Sequence, residues 1–277
     1  MKLATSGRTV HWGTVVRSGA PEGSLKDLWI AGARDWRLST QVTAFLSLGL
    51  PLSVCVLGIA TALVGKQAYK AFTREDGIAE DLQVLCWGLA LLLSVVVMRR
   101  LWKSGARAFV PMYLLLGLGI AFILGEELSW GQRIFGWHTS AALSEVNRQG
   151  ETNLHNINGV EERIRWFHFL VGAYGTLLPL LLYRAQRGAR FNDPASLLVP
   201  HYTLVPYFFA TLAWRVQAIL WEPPRQLHFV INEYSEVMEL VLAIGFLLFL
   251  LFQVRKSRTP AGRILGPVTR LGRSSRH

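Results

Sequence analysis

Six long apolar runs constrain this chain more than any other feature. They cover residues 42–64, 82–98, 108–124, 166–183, 198–221 and 237–254. Crossing the hydrocarbon core of a bilayer takes about 20 mostly apolar residues in a helix. Each run approaches that length, and the second and fourth are short. The first contains Gly49 and Pro51, which spans tolerate when neighbours satisfy the freed backbone. Of the 277 residues only 17% are charged, against about 25% in an ordinary soluble domain. The fold expected is all-α: a polytopic transmembrane bundle of about six spans.

Charge sets the expected orientation. Lys and Arg number 6 in segment 1–41, 4 in 99–107, 3 in 184–197 and 7 in 255–277. The alternate segments hold fewer, with 3 in 65–81, 4 in 125–165 and 1 in 222–236. Basic residues favour the cytoplasmic side, so both termini are expected in the cytoplasm. Segment 1–41 shows no apolar signal region, so the first span is read as an uncleaved anchor. The acids sort oppositely: only Glu22, Asp27, Asp35 and Asp193 fall on the basic side. The organisation is therefore an N-terminal tail (1–41), a six-span membrane domain (42–254) with an outer-face loop (125–165), and a basic C-terminal tail (255–277).

Net charge is +11. In a membrane protein that suits anionic lipid and topology control. No basic soluble module is present, so nucleic acid is not an expected partner; the lipid bilayer is. Cys55 and Cys86 sit in apolar runs and read as small core residues.

Unusual polar residues gather on the outer side. The third run passes straight into Glu126 and Glu127, then Ser129, Trp130, Gln132 and Arg133. On a continuing helix Glu126, Ser129 and Arg133 would share one face. Either Glu126 is an interfacial residue tied to Arg133 with Trp130 as belt aromatic, or it is a general base or metal ligand. A second dense stretch holds Glu151, Asn153, His155 and Asn156. Glu151 and His155 lie four apart, and imidazole with carboxylate suits Zn, Mn or Fe. The alternative is a loop that hydrogen-bonds its own backbone. The sixth run opens with Asn232, Glu233, Glu236 and Glu239. Glu239 lies below the interface and needs a partner or a proton. Arg215, about 9 Å below Trp221 at roughly 1.5 Å per residue, is the obvious partner. His168, His228 and Glu222 fall on the same side.

The resulting candidates are Glu126, Glu127, Arg133, Glu151 and His155 for catalysis. Trp130, Gln132, Asn153, Asn156 and Arg215 are candidates for substrate binding. Glu126, Glu151, His155, Glu236 and Glu239 are candidates for a divalent metal. No HExxH, GxGD or GxSG motif of the known intramembrane proteases is present. Three readings stay open: a metal-dependent enzyme acting on a lipid or lipid-linked substrate, a proton- or cation-coupled transporter, and a non-catalytic envelope scaffold. Clustering of the acids at one side and the lack of an internal repeat weigh against transport.

The run GEELSWGQRIFGW (125–137), followed by NRQGETNLHN (147–156), resembles a signature of bacterial multi-pass membrane proteins. The resemblance implies a bacterial inner-membrane origin and carries no activity with it. It marks Glu126, Glu127, Ser129, Trp130, Gln132, Arg133, Glu151, Asn153, His155 and Asn156 as the positions to test.

The orientation is checked with reporter fusions. Alkaline phosphatase joined within 138–146 is expected to be active, and green fluorescent protein joined after residue 257 is expected to fluoresce. The reverse pattern would invert the topology.

Overall fold

A computed structural model describes residues 25–74, 77–147, 150–154, 157, 159–185 and 194–257. The described residues are all-helical and hold six helices long and apolar enough to cross a membrane. Helix α1 (Leu25–Trp36) precedes the first span, α2 (Thr40–Val64). A short α3 (Lys66–Thr73) leads to α4 (Ile78–Lys103). Then come α5 (Val110–Glu127), α6 (Val160–Ala185), α7 (Val205–Leu220) and α8 (His228–Lys256).

Several boundaries differ from those expected of the sequence. Segment 1–41 contains α1 and the first two residues of α2. Segment 65–81 contains α3 and the first turn of α4, which places Glu80 and Asp81 on a helix. Helix α7 starts at Val205, after a 3-10 turn over Tyr202–Leu204.

Helix α8 is the shared wall. About 72% of its most apolar stretch is buried, against 17–33% for the other five spans. It packs on α4, α7 and α2, while α5 rests on α4 and α6 rests on α7. Val237, Val241, Ala243 and Leu250 of α8 are fully enclosed. The other spans turn leucines such as Leu63, Leu92, Leu115 and Leu170 outward. An apolar perimeter this extensive belongs in lipid.

The π-helical turn at Phe45–Gly49 in α2 has a local cause. Pro51 has no N–H to give to the preceding turn. The Leu46 carbonyl instead accepts from Tyr207 Oη at 2.5 Å, and Ser47 Oγ donates to the Thr203 carbonyl at 2.7 Å.

The two described chain ends meet at one end of the bundle. Arg255 donates to the Trp36 carbonyl at 2.7 Å, and the Trp36 ring packs on Phe252. Buried Lys256 donates to Ser196 Oγ, and Arg100 to the Val254 carbonyl. His201 bridges Asp35 at 3.2 Å and Thr203 Oγ1 at 2.8 Å. This is the basic end. The acidic residues singled out above gather at the opposite one.

Close approach of α6 and α7 depends on glycine. A Cβ on Gly172 would stand 2.8 Å from the Leu212 amide nitrogen, and one on Gly175 would run into the Phe208 ring. Gly172→Val is therefore expected to cost upwards of about 2 kcal/mol, the scale of an overpacked core. A lower melting temperature and a broadened size-exclusion peak in detergent check this, with Gly88→Val, in open space, as the tolerated control.

Candidate functional site

The site is built in two parts, a clasp over the end of α5 and a polar centre between the helices beneath it. The clasp starts with a broken helix. Ser129, Trp130 and Gly131 have φ of 44°, 51° and 95°. Three successive left-handed residues end α5 and turn the chain sharply. For L residues such as Ser129 and Trp130 that conformation costs about 1–2 kcal/mol each, so contacts must hold it. The expected face of Glu126, Ser129 and Arg133 on a continuing helix is thus replaced by a reversal.

The reversal folds Trp130 back onto α5. Its ring lies over Gly125, where a Cβ would be 3.1 Å away, and meets Phe122 edge-on. Trp130 Nε1 donates to Glu126 Oε1 at 2.5 Å. The other Glu126 oxygen accepts from the Leu154 amide at 2.7 Å. Glu126 therefore ties together the helix end and the second polar stretch. Ser129 Oγ and Asn153 Nδ2 both donate to Glu151 Oε2, at 2.8 and 2.7 Å. Asn147 braces the turn by donating to the Asn153 carbonyl and side chain, both at 2.9 Å, and by accepting from the Glu151 amide. Gln132 Oε1 accepts from the Thr152 amide at 2.7 Å and from Thr139 Oγ1 at 3.2 Å. Glu126, Ser129, Asn147 and Asn153 are all buried.

Arg133 joins the clasp to α4. Its Nη1 donates to Glu80 Oε1 at 2.5 Å and to the Glu127 carbonyl at 2.9 Å, and its Nη2 reaches Asp81 at 3.4 Å.

The polar centre lies beneath. Arg215 of α7 donates through Nη2 to Glu239 of α8 at 3.2 Å and to His168 Nδ1 of α6 at 2.7 Å. The partnership of Arg215 and Glu239 is the one their depths suggested. A guanidinium has donors only, so Nδ1 must be the accepting nitrogen and the His168 proton sits on Nε2. His168 is thereby a neutral imidazole, and the trio is electrically balanced. Further along, Gln83 Nε2 of α4 donates at 3.1 Å both to Glu236 Oε2 and to the Glu236 carbonyl. The Glu236 carboxyl also feels the charges of Glu239, Glu127 and Glu80.

The sequence candidates thus divide. Glu126, Ser129, Trp130, Gln132, Glu151 and Asn153 are brought together in the clasp. Arg215 and Glu239 are brought together in the centre, where Glu236 meets Gln83. His155 and Asn156 lie outside the described residues. Among the described residues no group of three or more His, Cys, Asp and Glu is placed to hold a metal ion. Glu126 and Glu151 accept bonds from the clasp, Glu239 from Arg215 and Glu236 from Gln83. His228 donates to the Pro223 carbonyl at 2.6 Å, fixing the loop before α8. Glu80 and Gln83 were missed, because residues before Leu82 read as loop and Gln83 read as part of an apolar run. The signal was their i, i+3 spacing on one helical face, with Asp81 adjacent.

Removing one member of a buried ion pair leaves a charge in low dielectric, at a cost of about 3–5 kcal/mol. Arg215→Met is expected to fall near that range, and Arg215→Met with Glu239→Gln to recover most of it. Thermal melts of the two variants in one detergent check the coupling.

A scan of family models finds none that matches this chain, and neither the curated proteins nor the solved structures yield a match.

Proposed function

We propose that this chain is a multi-pass protein of the bacterial inner membrane, with both termini cytoplasmic, that acts on the headgroup of a lipid or lipid-linked substrate at its acidic end. One observation carries the reading. Arg215, Glu239 and His168 come from three neighbouring spans, and their side chains are 10%, 26% and 13% exposed. Ionisable groups enclosed in this way are costly and are kept mainly where they are used. A guanidinium fork matches a phosphate bidentately. A headgroup phosphate that takes Arg215 would free the Glu239 carboxylate beside it, placing a base next to the bound group. The chemistry that fits is hydrolysis or transfer at the headgroup. In this reading Glu126, Glu151, Gln132 and Asn153 hold the clasp over the centre, and Arg133, which also donates to the Glu127 carbonyl, ties it to α4.

One observation favours a second reading, a non-catalytic envelope assembly protein. The donors and acceptors described for Glu126, Gln132, Glu151 and Asn153 are met by the clasp itself.

Phospholipid retained after purification in mild detergent tests the proposal. The wild type is expected to hold anionic phospholipid, and Arg215→Lys about tenfold less, the scale of one lost charge-assisted bond of roughly 1.4 kcal/mol. Equal phospholipid in two well-folded proteins would remove the headgroup site and leave the assembly reading.

A further inference from the structure

We propose that Glu236 and Gln83 form a proton-binding site, in which a protonated Glu236 closes a two-bond ring with the Gln83 carboxamide. The site is independent of the headgroup reading and follows from hydrogen-bond accounting between α4 and α8. Gln83 is fully buried. Its Nε2 donates to Glu236 Oε2 at 3.1 Å, so its carboxamide is held against that carboxyl. Its Oε1 is buried with no hydrogen-bond partner. A buried amide oxygen left without a donor forfeits about 1–3 kcal/mol. An ionised Glu236 is acceptor-only and cannot supply one, whereas the protonated acid has an O–H. An acid facing an amide in this way makes two parallel bonds: N–H to Oε2 and O–H to the amide oxygen.

The surrounding charges agree. Arg215 is matched by Glu239, and Arg133 faces Glu80 and Asp81. No cation pairs with Glu236 among the described residues, while Glu239 on its own helix, Glu127 at the end of α5 and Glu80 on α4 all act on it as like charges. His168, on α6, is neutral. Lys66 and Lys70 of α3 lie over the Phe229 ring near the start of α8, and Lys70 and Arg74 attend Glu233. Carboxylates gathered in low dielectric do not all ionise, and one keeps a proton. Glu236 is the member with an orphan acceptor beside it. A proton also needs no cavity and no third ligand.

Infrared spectra of the protein in lipid nanodiscs at neutral pH test this. The carbonyl band of a protonated carboxylic acid is expected in the wild type, lost in Glu236→Gln, retained in Glu239→Gln, and shifted to higher frequency in Gln83→Leu, where the acid loses its acceptor. Coincident wild-type and Glu236→Gln spectra in that region would overturn the site. Thermal stability supplies an independent check. The Glu236→Gln amide offers Gln83 Oε1 an N–H in place of the O–H, so this variant is expected to melt within a few degrees of the wild type. A large loss of stability there would show that Glu236 acts as an anion, and would overturn the proposal too.

Discussion

A polar group enclosed by these six spans has only the protein to partner it, because lipid tails supply none. That requirement organises the acidic end of the molecule. An unpaired backbone or side-chain group in hydrocarbon costs several kcal/mol. The end of α5 after Glu127 leaves helix-end carbonyls without intrahelical partners, and the clasp is the response. Glu126 accepts from an indole and an amide, Glu151 from a hydroxyl and a carboxamide, and Gln132 from an amide and a hydroxyl. The left-handed Ser129 and Trp130 persist because these bonds together over-determine them.

The spans were legible because bilayer thickness writes directly into sequence as run length. The Arg215–Glu239 pair was legible for a related reason: two opposite charges at equal depth in hydrocarbon have few other solutions. The clasp was legible only as a composition, a density of Asn, Gln, Glu and Thr without geometry. Its architecture was hidden because the reversal at Ser129–Gly131 relies on two non-glycine residues with positive φ, which no local propensity announces. Glu80 and Gln83 were hidden because hydropathy marks where a helix becomes apolar, not where it begins. Helix α4 starts at Ile78, several residues before its apolar run.

The two ends of the bundle use charge differently. At the basic end Arg100, Arg255 and Lys256 reach backbone carbonyls and a serine hydroxyl. Cations near helix C-termini complement the unsatisfied carbonyls there, so these bonds fasten α1, α4 and α8 to one another. At the acidic end the charged groups face other side chains across α4, α6, α7 and α8. Bonds to backbone depend little on which side chain lies opposite. Bonds between side chains do, which concentrates chemical specificity at the acidic end.

Within that end the clasp and the centre differ in what a ligand could claim from them. Glu126 and Glu151 each accept one donor from their own stretch and one from the other, so binding there would first have to unfold the clasp. Arg215 and Glu239 hold each other from separate helices at 3.2 Å and keep some exposure. An anion can displace a carboxylate from a guanidinium without breaking either helix. Within the 125–137 motif, Glu126 already holds two bonds of the clasp. The groups suited to exchange partners are Arg215, Glu239 and Glu236, one on α7 and two on α8, the helix against which α2, α4 and α7 are packed. A proton held at Glu236 would lie on the same helix as Glu239, three residues away, so charge entering at Arg215 would be felt at both carboxyls together.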